Sequence, residues 1–156
     1  MMLTWIEKMF AHSFEKEWFE TYWAFDIHGT ILVPTFRKNS YDSEFYPWAK
    51  ETLQYITKKR KDIVMILSTS SYPEEIEHYQ KVFKKNNIFF KYVNENPEID
   101  SSKGNFGYYE DKFYFNASFE DKAGFVPEIE WYQIYSLLQQ YEKANYLPDP
   151  KWTTKF

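Results

Sequence analysis

The feature that most constrains the fold of this 156-residue chain is a series of short apolar runs separated by amphipathic segments. Four runs have the length and composition of buried strands: Tyr22 to Phe25, Ile63 to Leu67, Ile88 to Val93 and Phe113 to Phe119. The first two are almost continuously apolar, which is typical of central strands covered on both faces. Strands that alternate with helices pair in parallel, so the sequence predicts an α/β domain with three layers and a central, mainly parallel sheet.

Three amphipathic helices are predicted between and after these strands. The first begins near Trp48, and the third begins after Pro127. The second opens with a Ser-x-x-Glu capping box formed by Ser71 and Glu74, and it continues through Asn86. The residues predicted to face the core are Ala49, Leu53 and Ile56, then Ile76, Tyr79 and Phe83, then Trp131, Ile134, Tyr135, Leu138 and Tyr141.

The composition indicates one globular domain over residues 1–156, with residues 142–156 as an irregular tail after the last helix. Hydrophobic residues make up 44% of the chain and charged residues 27%, which is typical of a folded protein and not of a disordered one. The net charge is −4, with 19 basic and 23 acidic residues. This balance gives no electrostatic argument for binding nucleic acid.

The chain contains no cysteine, which excludes disulfide bonds, thiolate metal sites and a cysteine nucleophile, and fits a reducing compartment. No apolar stretch approaches the ~20 residues that cross a bilayer. Residues 1–10 also lack the long apolar region of a secretory signal. The sequence therefore predicts a cytoplasmic protein with no membrane partner.

Aromatic side chains are unusually frequent, at 22% of the residues. Two interpretations are open: the rings fill the core in place of aliphatic side chains, or they form a surface on which a base or sugar stacks. Because most of the rings fall inside apolar-periodic segments, we expect the core to take most of them.

Polar side chains follow three of the predicted strands. Asp26 follows the first strand, Ser68 and Thr69 follow the second, and Glu120 and Asp121 follow the last. The carboxyl ends of parallel strands meet at one edge of a sheet, where α/β proteins bind their ligands. Hard oxygen ligands of this kind suit Mg²⁺. A carboxylate in such a place can also act as a nucleophile toward a phosphoryl group.

The sequence of residues 25–30, Phe-Asp-Ile-His-Gly-Thr, resembles the first motif of the haloacid dehalogenase (HAD) superfamily, Asp-x-Asp-Gly-Thr. The resemblance implies a Rossmann-like domain in which Asp26 is the nucleophile that forms an aspartyl-phosphate, with Gly29 and Thr30 beside the substrate. His28 replaces the second Asp, which is the general acid-base of the family. The resemblance also implies that the backbone carbonyl at this position binds Mg²⁺, and histidine supplies that carbonyl too.

Residues 63–69 resemble the second HAD motif, an apolar strand that ends in a hydroxyl residue hydrogen-bonded to the phosphoryl group. Thr69 is the first choice for that residue, and Ser68 is the alternative. The third motif is a lysine that offsets charge on the phosphoryl group. Lys103, in the loop before the last strand, is preferred to Lys112, because Lys112 starts that strand about 20 Å from the edge that carries the site.

Residues 113–124 resemble the fourth motif, whose acidic pair holds Mg²⁺; either Glu120 or Asp121, or both, are then the ligands. Residues 31–47, which we call the flap, are too few for the cap domain that many HAD phosphatases carry. Capless members of the family often act on large substrates or on the phosphate ends of nucleic acids. Arg37 in the flap is then a candidate for contact with substrate phosphates.

Two functions follow from these observations. The first is a Mg²⁺-dependent phosphohydrolase that acts on a phosphate monoester, such as a nucleotide or a nucleic-acid end. Loss of general acid-base catalysis typically slows a reaction 10²–10⁴-fold, so turnover with His28 depends on whether the imidazole transfers protons. The second is a catalytically impaired module that binds a nucleotide or a protein partner. In that case aromatic residues in and beside the flap stack the ligand; these are Tyr41, Phe45, Tyr46 and Trp48.

Overall fold

A computed structural model of the protein describes residues 4–37, 40–99 and 112–140. The regular elements in these ranges are α1 (Thr4–Glu15), β1 (Thr21–Phe25), α2 (Ala49–Lys59), β2 (Ile63–Leu67), α3 (Pro73–Lys85), β3 (Tyr92–Val93), β4 (Ala117–Phe119), a 3₁₀ helix (Asp121–Ala123) and α4 (Pro127–Gln140).

The strands form one sheet in the order β3-β2-β1-β4, and each neighbouring pair is parallel. In β1, Phe25 is aligned with Leu67 of β2 on one side and with Phe119 of β4 on the other. Helices flank the sheet, and the predicted fold class, a three-layer α/β domain of the Rossmann type, is confirmed.

The strand order places β1 where the chain changes direction across the sheet. The first three strands are added in one direction, from β1 to β2 to β3, and β4 then returns to the other side of β1. In open parallel sheets, ligands bind beyond the carboxyl ends of the strands at this kind of reversal. Asp26, the residue directly after β1, therefore occupies the position where an α/β sheet forms its binding crevice.

All residues of β1 and β2 are buried, as predicted for central strands. One face of the sheet contributes Trp23, Phe25, Met65, Leu67 and Phe119 to the main core cluster, to which α1, α2, α3 and α4 also contribute. The opposite face contributes Tyr22, Val64 and Ile66 to a smaller cluster, which packs against Tyr92, Ile99, Phe113 and Tyr114. The connection between β3 and β4 therefore covers this second face.

Aromatic rings fill much of the main core. Phe25 and Phe119 stack with ring centroids 4.4 Å apart, and Trp131 of α4 stacks on both rings. Trp23, Tyr79 and Phe83 are also fully buried. The expectation that rings replace aliphatic side chains in the core is confirmed for these residues, each of which removes a large apolar area from water.

Two strands are shorter than the apolar runs that predicted them. In the run Ile88 to Val93, only Tyr92 and Val93 pair with β2, while Phe90 is buried against Phe25 and Phe83 without joining the ladder. In the run Phe113 to Phe119, pairing with β1 is confined to β4. These runs are apolar because their side chains pack on the sheet, and burial does not require strand hydrogen bonds.

Helix α1 was not predicted from the sequence, although its Ile6, Met9 and Phe10 are buried in the main core. In the part of the chain that the structure describes, no helix has the length and apolarity needed to cross a membrane.

Candidate functional site

The site forms because the register of the sheet brings the ends of three strands to one level. The backbone N–H of Ser68 donates to the carbonyl of Phe25 (2.8 Å), and the N–H of Asp26 donates to the carbonyl of Phe119 (3.0 Å). These bonds continue the parallel ladders one residue beyond β1 and β2. Asp26, Ser68 and Glu120 therefore lie side by side at the carboxyl edge, as the sequence predicts.

Three carboxylates converge at this edge. One oxygen from each of Asp26, Glu120 and Asp121 lies within 4.8 Å of the others. The pKa of the Asp26 carboxyl group is raised to about 6, chiefly by burial and also by the negative charges of Glu120 and Asp121, against the opposing effects of a hydrogen bond from the Ile27 backbone and the charge of His28. The cluster therefore favours either a proton or a cation.

Gly29 and Thr30 fix the position of Asp121. Gly29 has φ +78°, and a Cβ atom at this residue would lie 2.6 Å from Asp121 Oδ2. The buried hydroxyl of Thr30 accepts a hydrogen bond from the backbone N–H of Asp121 (3.2 Å), and Trp131 Nε1 donates to the Thr30 carbonyl (2.7 Å). Both residues are engaged with the carboxylate cluster, and their predicted contact with substrate stays a prediction.

Glu120 has a second role beside its place in the cluster. Its Oε1 accepts a hydrogen bond from the backbone N–H of Lys122 (3.1 Å) and so caps the short 3₁₀ helix that begins at Asp121. The helix ends at Gly124, which has φ +104°. This turn holds the two acidic side chains next to Asp26.

The His28 ring has a polar partner at each nitrogen. Nδ1 lies 2.6 Å from Asp42 Oδ2, and Nε2 lies 3.2 Å from Ser71 Oγ. The ring also packs edge-on against Tyr79, with centroids 5.2 Å apart. Burial by itself raises the pKa of Asp42, but hydrogen bonds from His28 and Thr35 outweigh it and hold that pKa below its usual range.

The hydroxyl residues after β2 form a hydrogen-bonded loop. The Thr69 hydroxyl donates to Ser71 Oγ (2.9 Å) and accepts from the Ser71 backbone N–H (3.1 Å). Asn94, which follows β3, binds the Thr69 backbone twice: its Oδ1 accepts from the N–H, and its Nδ2 donates to the carbonyl. Thr69 therefore stands at the same edge as Asp26, one residue beyond Ser68, in a loop tied to the next strand.

The two ends of the flap, which connects β1 to α2, are joined by backbone hydrogen bonds. The Val33 N–H donates to the Glu44 carbonyl (2.8 Å), and the Tyr46 N–H donates to the Ile31 carbonyl (3.0 Å). Arg37 is exposed within it. The ring of Tyr41 stacks on His78 of α3 at 3.9 Å, so an aromatic ring of the flap lies beside α3 and remains partly exposed.

The two lysine candidates have different outcomes. Lys103 lies outside the described residues, and its proposed role stays a prediction. Lys112 is exposed and its Nζ lies 5.7 Å from the centroid of the Phe115 ring, before β4 begins. Lys112 therefore lies before the strand and not at its start as predicted, because β4 begins only at Ala117.

Sequence reasoning missed Asp42, Ser71 and Asn94 as site residues. Ser71 was assigned to a capping box with Glu74, and that assignment is wrong: the N–H of Tyr72 donates to Glu75 Oε1, and Pro73 starts the helix one residue later than predicted. The run of four hydroxyl residues at 68–71 was a usable signal for Ser71, and Asn94 directly follows a predicted strand. Asp42 carries no such signal, because it is one acidic residue in a polar loop.

Comparison with known proteins adds information on the fold alone. No family model matches the sequence, and no curated protein matches it. Among solved structures, the chain is similar to a conserved protein from Bacteroides thetaiotaomicron, with a TM-score of 0.59 and 20% sequence identity. The match covers 79% of this chain and 93% of that chain. The likeness agrees with the α/β architecture described above.

Proposed function

We propose that this protein is a divalent-cation-dependent phosphohydrolase that acts on a phosphate monoester, such as a nucleotide or a nucleic-acid end, with Asp26 as its nucleophile. The observation that carries the proposal is the convergence of Asp26, Glu120 and Asp121 within 4.8 Å at the carboxyl edge of a parallel sheet. Two adjacent strands supply these residues, so the cluster is a product of the fold and not of a single acidic loop.

The donor set at this edge fits Mg²⁺, which prefers carboxylate and carbonyl oxygens and keeps several waters. Asp26, Glu120 and Asp121 would hold the ion, with the backbone carbonyl of His28 as a further ligand. A cation would also relieve the mutual repulsion that helps raise the pKa of Asp26. When bound, it neutralises charge on the phosphoryl oxygens.

In the proposed reaction, an Asp26 oxygen attacks phosphorus and the bond from phosphorus to the leaving oxygen breaks. His28 gives a proton to that oxygen, and it later accepts one from the water that hydrolyses the aspartyl-phosphate. Thr69, or alternatively Ser68, donates a hydrogen bond to the phosphoryl group, and Lys103 offsets its charge. These residue roles follow the HAD resemblance, and the common edge of Asp26 and Thr69 supports them.

The test is phosphate release with Mg²⁺ from p-nitrophenyl phosphate, nucleoside monophosphates and 3′- and 5′-phosphorylated oligonucleotides. Asp26→Asn is expected to lower kcat by at least about 10³-fold, because it removes the nucleophile. Glu77→Gln is the matched control, since it removes one carboxylate from an exposed pair with Lys81 on α3. Equal inactivity of the wild type and Asp26→Asn across the panel would remove this proposal.

The second candidate is a binding module with an impaired catalytic centre. It is favoured by exposed rings of the flap, among them Tyr41, which stacks on His78, and Phe36, which is 92% exposed. His28→Asp separates the candidates. A silent parent that gains strong phosphatase activity from this substitution is a binding module, whereas an active parent that loses or keeps activity is an enzyme in its own right.

A further inference from the structure

The Asp42–His28–Ser71 row is an arrangement that the HAD resemblance does not contain. It joins three segments: Asp42 comes from the flap, His28 from the turn after β1, and Ser71 from the loop after β2. The two distances, 2.6 Å to Nδ1 and 3.2 Å to Nε2, put both ring nitrogens within hydrogen-bond reach. The replacement of Asp by His at position 28 therefore comes with its own set of partners.

Asp42 is held so that its carboxylate faces the ring. Its side chain is only 8% exposed. Oδ1 accepts hydrogen bonds from the backbone N–H of Thr35 (3.0 Å) and from the Thr35 hydroxyl (2.9 Å), which leaves Oδ2 for His28. The Asp42 N–H donates to the Tyr79 hydroxyl (3.1 Å), which ties the flap backbone to α3. A buried carboxylate with this many bonds has little freedom to rotate.

This contact fixes which nitrogen of His28 exchanges protons. An ionised carboxylate only accepts hydrogen bonds, so Nδ1 must carry a hydrogen in both the neutral and the charged ring. Nε2 is then the nitrogen that gains and loses the proton. Its neighbour, Ser71 Oγ, is bonded in turn to the Thr69 hydroxyl, which is the predicted phosphoryl ligand. The exchanging nitrogen is therefore linked to the loop where the phosphoryl group is expected.

We propose that Asp42 is a positioning residue that orients the His28 ring and fixes its tautomer for proton transfer through Nε2. This rests on the phosphohydrolase function proposed above. In the first step the P–O bond to Asp26 forms, the P–O bond to the leaving group breaks, and the Nε2 proton passes to the leaving oxygen. In the second step water forms the new P–O bond, the bond to Asp26 breaks, and the water proton passes to Nε2.

The experiment compares kcat/KM for two substrates that differ in their need for a proton. p-Nitrophenolate leaves readily without protonation, whereas the alkoxide of an alkyl phosphate does not. Asp42→Asn is expected to lower kcat/KM for an alkyl phosphate by about 10²–10⁴-fold, and for p-nitrophenyl phosphate by a clearly smaller factor. An effect confined to folding or metal binding lowers both by the same factor.

Glu77→Gln is the matched control. It makes the same change from a carboxylate to an amide, but in an exposed pair with Lys81 on α3, and it leaves Asp42 and His28 as they are. We expect both substrates to be turned over by this variant within a few-fold of the wild-type rate. Unfolding midpoints of the variants show whether each one is folded at the assay temperature.

A second measurement does not depend on activity. Long-range ¹H–¹⁵N spectra of the three histidine rings in the wild type report which ring nitrogen carries hydrogen, and His28→Gln assigns the signal of residue 28. The proposal expects the Nδ1–H form for neutral His28. Free imidazole side chains favour the Nε2–H form, so an Nε2–H ring in the wild type overturns the proposal even if Asp42→Asn fails to fold.

The outcomes separate this inference from the proposed function. Suppose that Asp26→Asn is inactive, and that Asp42→Asn loses activity equally on both substrates or loses none. This result overturns the role of Asp42 and leaves the phosphohydrolase function supported. Absence of any Asp26-dependent turnover in the wild type overturns the function and the inference with it. A selective loss on the alkyl phosphate together with the Nδ1–H tautomer supports both.

Discussion

At the residue scale, the site depends on a few side chains whose freedom the surrounding backbone removes. His28 is oriented by Asp42, and Asp121 is held by Gly29 and Thr30. Orientation of this kind is what allows a proton donor or a metal ligand to act without first being ordered. In the proposed function, the histidine at position 28 bears on proton transfer alone, because the carboxylate cluster of Asp26, Glu120 and Asp121 forms beside it.

Substitution of Gly29 provides a prediction that separates backbone strain at a positive φ from the effect of a new Cβ on the position of Asp121. Gly29→Ala and Gly124→Ala each place a Cβ at a residue with positive φ, and each is expected to destabilise the fold by about 1 kcal/mol. Only at residue 29 does the new Cβ meet Asp121; at residue 124 nothing lies within 4 Å. Because the Asp121 carboxylate must move aside, Gly29→Ala alone is expected to weaken Mg²⁺ binding, about tenfold or more.

Denaturant unfolding measures the first effect, and calorimetric titration with Mg²⁺ measures the second. Gly124→Ala serves as the control for backbone strain. If the two variants bind Mg²⁺ equally well, the close approach of residue 29 to Asp121 has no bearing on the cation site.

Some residues of the site could be predicted from the sequence, and others could not. Asp26, Glu120 and Asp121 were predicted because each directly follows a strand, and the parallel register brings strand ends together. Asp42 was not predicted, because its approach to His28 depends on the path of the flap. That path is set by hydrogen bonds within the flap and to Tyr79, which no local sequence pattern specifies.

At the element scale, the short edge strand β3 is stabilised by a charged network next to it. Glu98 accepts hydrogen bonds from Tyr22 (3.2 Å) and Tyr92 (2.6 Å), and Lys91 Nζ lies 2.6 Å from its Oε2. Burial alone raises the pKa of Glu98, but the bonds from Lys91 and Tyr92 outweigh it and hold that pKa below the ordinary 4.5. The network joins β3 to β1 across the smaller core.

A pH-dependent stability follows from this network. A lowered carboxyl pKa in the folded state contributes stability above the unfolded-state pKa, and the contribution is lost as the pH falls through the folded-state value. Glu98→Gln is expected to lower the unfolding free energy by about 1 kcal/mol at pH 7. The difference from the wild type should begin to shrink as the pH falls below about 4.5, where the carboxyl of the unfolded chain takes up its proton, and it should disappear as the pH passes the lower folded-state pKa.

Urea unfolding of the wild type and Glu98→Gln between pH 7 and pH 3 measures this difference. Glu77→Gln, which breaks an exposed pair on α3, is expected to change stability by no more than a few tenths of a kcal/mol at any pH. A gap between wild type and Glu98→Gln that stays constant down to pH 3 contradicts the assignment.

The elements themselves were predicted with uneven success, for a physical reason. β1 and β2 were found almost to the residue because they are buried on both faces and read as continuous apolar runs. The predicted strands β3 and β4 were too long, because Phe90 is buried and Phe113 is partly buried by packing outside the hydrogen-bonded ladder. An apolar run in the sequence indicates that its side chains are buried. It becomes a strand only where its backbone is hydrogen-bonded to a neighbouring strand.

At the scale of the whole molecule, the proposed cation site couples cation binding to folding. The three carboxylates come together only in the folded chain, so an ion that binds them stabilises that state. At a Mg²⁺ concentration about 100 times its Kd, the gain is about 2.7 kcal/mol, or roughly 5–10 °C in the unfolding midpoint of a domain of this size.

Asp121→Asn provides the test of this linkage. Removing one charge relieves repulsion at Asp26, so the variant is expected to unfold at a higher temperature than the wild type in EDTA, and to lose most of its response to Mg²⁺. Thermal unfolding in EDTA and in Mg²⁺ measures both effects, with Glu77→Gln as the charge-matched control. If divalent cations do not change the thermal unfolding midpoint of the wild type, the proposed cation site is contradicted.

The sequence by itself determined the fold class, the two central strands and the edge of the sheet at which polar groups gather. It could do so because strand burial, helix periodicity and the parallel rule all act through local patterns and connection order. Tertiary structure alone decided which polar groups touch. The contact of Asp42 with His28 arises from the folding of the flap, and the position of Asp121 next to Gly29 arises from the turn after β4. In both places a shift of a few ångströms makes or breaks a hydrogen bond.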